Sequence, residues 1–87
     1  MWQIEISSKI TKKFLKIDKP IRADILKYLK EIQSLPDPRT RGKGLTGNLS
    51  GAWRWRVGDY RITAAIMPAT KTITVLDIEH RSKIYRH

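Results

Sequence analysis

The hydrophobic pattern changes period along the chain, and each change marks an element. Trp2, Ile4 and Ile6 alternate with Gln3, Glu5 and Ser7, so residues 2–7 predict a strand. Ser7 or Ser8 then offers a hydroxyl to cap a helix. Ile10, Phe14 and Ile17 follow at helical spacing, with Lys9, Lys12, Lys13 and Lys16 on the other positions. Asp18-Lys19-Pro20 ends this helix and opens a second, because proline lacks the N–H that a helix interior needs yet suits a first turn. The second helix reaches about Leu35 on a stripe of Ile21, Ile25, Leu29 and Ile32, with Tyr28 at its margin. Two helices so closely joined predict a helical hairpin. From Pro36 to Gly51 the composition shifts to Pro, Gly, Asp, Asn and Thr, which is a loop, with Leu45 and Leu49 as its expected anchors.

Strict alternation returns at Trp53. Trp53, Trp55 and Val57 lie on one side, Arg54 and Arg56 on the other. Gly58-Asp59 fits a two-residue type II′ turn, which pairs Val57 with Tyr60, Arg56 with Arg61, Trp55 with Ile62 and Arg54 with Thr63. Trp55, Val57, Tyr60 and Ile62 then share a core face, and Arg54, Arg56 and Arg61 share the opposite one. Residues 60–67 form a strand, Pro68-Ala69-Thr70 turns the chain, and residues 71–79 form another strand. This last strand carries Ile73 and Val75 on one alternation and Leu76 and Ile78 on the other, as a central strand would. The order β-α-α-β-β-β predicts a single α+β domain spanning 1–87: an antiparallel sheet, a helical hairpin on one face, and an open basic face.

Composition sharpens the second half of that picture. At 87 residues there is room for one modest core. The formal net charge of +10 points to a polyanionic partner. With no cysteine, there is neither a disulfide framework nor a thiolate site. Two histidines without a His-Glu-x-x-His pattern give no expectation of a metal, and nothing suggests a cofactor. No apolar run approaches the roughly 20 residues of a membrane span, and the N-terminus lacks a signal-peptide pattern, so the expected location is the cytoplasm, away from membranes. Arg39, Arg41 and Lys43 make the central loop a candidate basic, mobile arm for phosphate backbone. Gly42-Lys43-Gly44 lacks the Gly-x-x-x-x-Gly-Lys-[Ser/Thr] pattern of a nucleotide-hydrolysing loop.

Three guanidiniums on one strand face need a reason, since like charges opposed across a ladder are destabilising. Two readings stand at this point: a phosphate-bearing ligand, which arginine forks grip bidentately, or a solvated face that only spreads charge. The helix lysines read as a solvated surface.

The run Leu45-x-Gly47-x-Leu49-x-Gly51-x-Trp53-Arg54-x-Arg56-Val57-Gly58-Asp59-Tyr60-Arg61, followed by His80-Arg81-x-x-x-Tyr85, closely resembles the RelE branch of the RelE/ParE toxin superfamily. The likeness covers nearly the whole chain. It implies the toxin of a type II toxin–antitoxin pair, an endoribonuclease that cuts mRNA in the ribosomal A site without a metal. In that chemistry the ribose 2′-OH attacks the adjacent phosphate, leaving a 2′,3′-cyclic phosphate and a free 5′-OH. It needs a base, cations for the developing charge, and an acid for the leaving oxygen.

By the same resemblance, Arg61 and Arg81 match the family's phosphate-stabilising arginines and Tyr85 its C-terminal aromatic. Arg54 and Arg56 join them, but they fall where the best-known RelE proteins carry lysines, one of which is proposed as the base. Arginine does not deprotonate in proteins, so catalysis here is expected to rest on positioning and electrostatics. His80 and His87 are the candidate acids; against that, His80 reads as a strand-end residue and His87 as a terminal surface residue. Tyr85 could equally pin the tail to the sheet. Asp77 and Glu79 could act as bases but read better as ion-pair partners of a nearby arginine. Lys83 and Arg86 join Arg39, Arg41 and Lys43 as expected RNA or ribosome contacts. The expected partners are an acidic RelB-like antitoxin and the 70S ribosome carrying mRNA. The rivals are a ParE-like toxin that binds DNA gyrase without nuclease chemistry, and a non-catalytic nucleic-acid-binding module.

Overall fold

A computed structural model describes residues 1–84, with Lys83 and Ile84 described by their backbone only. The expected site residues Tyr85, Arg86 and His87 therefore lie outside the described residues, as does the side chain of Lys83.

Eight elements follow one another: β1 (Gln3–Ile6), α1 (Ser8–Phe14), α2 (Lys19–Ser34), β2 (Lys43–Gly44), β3 (Ala52–Val57), β4 (Tyr60–Met67), β5 (Thr72–His80) and α3 (Arg81–Ile84). The α+β class and the order of the main elements are as the hydrophobic pattern predicts. Ser7 caps α1, its hydroxyl accepting from the Ile10 N–H at 3.2 Å. Pro20 sits in the first turn of α2, whose stripe of Ile25, Leu29 and Ile32 is buried.

The sheet runs in the order β1-β5-β4-β3-β2. It is mixed rather than purely antiparallel, because β1 pairs parallel with β5, from Gln3↔Thr72 to Ile6↔Val75. Alternation has the same period in both kinds of ladder, so the pattern carries no information about strand direction. β5 is central, flanked by β1 and β4, as expected, but not for the expected reason. Between Thr63↔Asp77 and Ala64↔Val75 the register shifts, which makes Leu76 the extra residue of a β-bulge. A bulge switches the parity of the strand. Ile73, Val75 and Ile78 therefore all face the core, while Leu76 is 46% exposed.

The core lies between the sheet and the helices, with Trp55, Ile25, Ile32, Ile62, Ile73 and Ile78 as its largest fully buried side chains. Pro38, from the central loop, is buried as well. Leu45 is half-buried, whereas Leu49 is 48% exposed and does not anchor the loop. Tryptophan does that work: Trp2, Trp53 and Trp55 donate their indole N–H groups to the carbonyls of Pro36, Arg41 and Pro38, at 3.2, 2.7 and 3.2 Å. The expected mobile arm is thus clamped at three points. No described helix is long and apolar enough to cross a membrane.

Candidate nucleic-acid interface

The β3–β4 hairpin closes in the register the sequence predicts, with Val57↔Tyr60, Arg56↔Arg61, Trp55↔Ile62 and Arg54↔Thr63. Gly58 makes the turn possible by taking φ +57, a conformation costly for any residue with a Cβ. Directly opposed residues in an antiparallel ladder share a face. Two rows of polar side chains therefore cross the face turned away from the core. One row is Lys43, Arg54, Thr63 and Asp77; the other is Arg56, Arg61 and Glu79. Lys43 enters because β2 pairs with β3 through Lys43↔Arg54. Arg54 donates from Nε to Thr63 Oγ1 at 3.2 Å, and Arg56 from Nε to the Gly58 carbonyl at 3.3 Å, so both guanidiniums are aimed by local contacts.

Arg81 follows β5 directly. Its backbone N–H donates to the Asp59 carbonyl at 2.7 Å, and its Nε lies 3.9 Å from Asp59 Oδ1. Both side chains are more than half exposed, so this ion pair is loose. The contact seats Arg81 beside the hairpin turn, next to the arginine face.

Other expected site residues lie elsewhere. His80 is opposite Tyr60 on the core side of the sheet, with the two rings edge to face at 5.3 Å. Its Nδ1 lies 2.9 Å from Ser82 Oγ and accepts from the Ser82 N–H at 3.2 Å, so it caps the first turn of α3. The structure does not bring His80 together with the arginines. In the central loop, Arg39 bonds Asp37 at 3.1 Å, and this guanidinium, with the Arg39 backbone N–H, holds the Asp37 carboxyl below its ordinary value. Arg41 pairs with Glu31 at 3.4 Å and lies over the Tyr28 ring at 5.6 Å. Lys43 alone of this basic trio lies on the arginine face.

Asp77 and Glu79 do form ion pairs, but with a lysine rather than an arginine. Lys13 of α1 places Nζ 2.7 Å from Asp77 Oδ1 and 3.0 Å from Glu79 Oε1. Partial burial works against charge on both Lys13 and Asp77, yet the mutual hydrogen bonds win: Lys13 is raised and Asp77 lowered from their ordinary values. The sequence pattern makes Lys13 one more solvated helix lysine; the structure instead gives it two carboxylate partners, and in the sequence only its position at i+3 from buried Ile10 sets it apart. Among the described residues no group of His, Cys, Asp or Glu is arranged to hold a metal ion.

The fold is that of RelE-type toxins. The chain superposes with a TM-score of 0.82 on a structure of the RelBE2 toxin–antitoxin complex from Mycobacterium tuberculosis, at 23% identity over 93% of this chain and 92% of that one. It superposes at 0.74 on the archaeal RelE–RelB complex from Pyrococcus horikoshii, at 23% identity over 94% and 97%. For isolated Escherichia coli RelE the TM-score is 0.75, at 17% identity over 98% and 92%. Comparison with curated proteins gives no match. Residues 4–85 match the model of the ParE toxin family of type II toxin–antitoxin systems, parDE, and the chain belongs to that family. It is a type II toxin of the RelE/ParE superfamily.

Proposed function

We propose that this toxin is a ribosome-dependent, metal-independent endoribonuclease that cuts mRNA in the A site and so stops translation. The observation that carries this reading is the gathering of Arg54, Arg56 and Arg61 on one open sheet face, with Lys43 beside them and Arg81 at the adjoining turn. Attack of a ribose 2′-OH on the neighbouring phosphate builds negative charge on the phosphoryl oxygens. Preorganised guanidiniums stabilise that charge without reorganising. Arg61 and Arg81 are assigned to the reacting phosphate, and Arg54 and Arg56 to the phosphates that position the strand. None of them is a base, so the rate comes from positioning and charge. The acid for the leaving 5′-oxygen is assigned to Tyr85 or His87; the orientation of His80 toward the helices argues against it. Lys43, Lys83 and Arg86 supply further contacts to RNA.

The structures from M. tuberculosis and P. horikoshii are complexes with antitoxins. A face carrying this much positive charge favours an acidic antitoxin segment of the RelB kind here, one that covers the arginines. Such a pair acts in the cytoplasm, where the ribosomes are.

The test is to map mRNA 3′ ends after incubating the protein with ribosomes paused on a defined message, beside naked mRNA. Cuts at the A-site codon only on ribosomes, reduced at least ~100-fold in Arg61→Ala or Arg81→Ala, are expected on the scale of a lost oxyanion-type donor. Cleavage unchanged in both variants would remove these arginines from the reaction. The matching family model carries the ParE name, which favours a second reading, gyrase poisoning. A folded protein that cuts no message but inhibits DNA gyrase would establish it instead.

A further inference from the structure

The two arginines of β3 are held in the same manner, and by acceptors that carry no charge. Arg54 donates from Nε to the Thr63 hydroxyl at 3.2 Å, and Arg56 from Nε to the Gly58 carbonyl at 3.3 Å. Neither guanidinium makes another hydrogen bond or ion pair among the described residues. Arg39, Arg41 and Arg81 differ, since each sits against a carboxylate: Asp37, Glu31 and Asp59 respectively. A carboxylate neutralises a guanidinium and occupies its fork. A hydroxyl or carbonyl orients the group and leaves its full charge for an incoming phosphate. With Nε committed, the two terminal nitrogens of each arginine remain as an end-on fork.

One of these two holders is a side chain, and it is a buried polar one. Thr63 is 7% exposed, on the face that carries the arginines. Valine would fill the same volume and suit a strand equally well, so a buried hydroxyl there has to be accounted for by a bond. That bond goes to its cross-strand partner Arg54. The partner on the other side, Asp77, is engaged by the Lys13 ammonium at 2.7 Å and by the Ile78 N–H at 2.9 Å. Threonine is stiff about χ1, so its hydroxyl is a fixed acceptor for Arg54 rather than a mobile one.

We propose that Thr63 is a positioning residue for Arg54: its uncharged hydroxyl takes the Nε–H and presents the two terminal nitrogens, undiminished in charge, to an RNA phosphate. Thr63 touches no reacting atom; it acts through Arg54. The inference rests on the nuclease reading for its consequence in cleavage, whereas the grip on phosphate is measured as binding alone.

The experiment compares wild type, Thr63→Val, Thr63→Ser, Arg54→Ala and the double variant Thr63→Val/Arg54→Ala. Two quantities are read: affinity for a 2′-O-methyl RNA oligonucleotide by fluorescence anisotropy at low salt, and A-site cleavage on paused ribosomes over a range of toxin concentrations. Thermal melting of each variant checks that it is folded, and Thr63→Ala repeats the comparison with a smaller side chain. Thr63→Val is expected to weaken binding by roughly threefold to tenfold, the scale of ordering one long side chain at the moment of binding. Thr63→Ser, which keeps the hydroxyl, should stay within about twofold of wild type. The cycle decides the matter: in the Arg54→Ala background, Thr63→Val should change affinity by less than about twofold, because nothing remains for the hydroxyl to aim. In cleavage, Thr63→Val should raise the half-saturating concentration and leave the saturating rate, as loss of uniform binding does. Thr63→Val without loss, a loss that recurs in full in the Arg54→Ala background, or a serine variant as weak as valine overturns the proposal. A fall in the saturating rate with binding unchanged also overturns it, by making the hydroxyl part of the reaction. A wild type that binds the oligonucleotide but never cuts refutes the nuclease reading and leaves the binding cycle to decide the role of Thr63.

Discussion

The indole N–H of Trp55 donates to the Pro38 carbonyl at 3.2 Å, and both residues are fully buried. Trp55 lies between Arg54 and Arg56, so the side chain that anchors the arginine strand in the core also fixes the loop before it. Replacing the indole with a phenyl ring strands a buried carbonyl and leaves a small void. Trp55→Phe should cost about 2–3 kcal/mol. That corresponds to a fall of roughly 10–15 °C in Tm for a domain of this size, readable by thermal melting. A loss below about 1 kcal/mol would mean that the clamp is incidental.

Two glycines of the same loop separate steric fit from backbone freedom. Gly42 has φ +80, and a Cβ there would meet the Arg54 carbonyl at 2.3 Å and Trp55 Cδ1 at 2.7 Å. Gly47 has φ +70 with nothing within 4 Å. Alanine at position 47 should cost only the left-handed backbone penalty, about 1 kcal/mol. At position 42 alanine should cost several times that, since backbone must move. Equal losses in urea unfolding of the two variants would contradict this placement of the loop.

The Lys13–Asp77–Glu79 cluster gives stability a defined pH window. Asp77 is held below its ordinary value, so its contribution is present above the unfolded carboxylate pKa of about 4 and is lost as pH falls through the depressed folded value. Lys13 is held above its ordinary value, so its contribution is present below about pH 10 and is lost as pH rises through the raised one. The stability gap between wild type and Asp77→Asn should therefore be flat near neutrality and close at both extremes. These groups are about a third exposed, so the gap is on the order of half a kcal/mol. Urea midpoints across a pH series check it; a gap that persists below pH 3 rules out the charged pair as its source.

Salt dependence should sort the basic residues by position. Each phosphate contact to single-stranded RNA contributes about 0.7 to the slope of log K against log salt. Removing Arg54 or Lys43, both on the open face, should lower the slope by about that amount. Arg39 and Arg41 are already paired with Asp37 and Glu31, and their removal should change it less. Equal slopes for all four variants would make the binding surface diffuse rather than a face.

Much of this was legible in the order of residues. Alternation from Trp53 to Val57, with a glycine opening the turn, determined the hairpin register and hence the arginine face, since side-chain direction in a strand depends only on parity. Spacing of Ile25, Leu29 and Ile32 determined which side of α2 is buried, for the same geometric reason. What escaped were relations that local periodicity does not encode. The direction of β1 is one. The indole–carbonyl bonds that join Trp2, Trp53 and Trp55 to the central loop are another, because each links residues at least 12 positions apart. The bulge at Leu76 is a third: read by strict alternation, Asp77 would share a face with Ile73 and Val75, and it does not. That single extra residue puts Asp77 and Glu79 on the arginine side of the sheet, where a lysine 64 positions from Asp77 pairs with both. The sequence by itself determined the elements, their buried faces and the arginine cluster, all products of neighbouring residues and a repeating period. Only the tertiary structure decided which carboxylates face the arginines and which cation holds them, because those contacts exist only once distant strands and α1 are packed together.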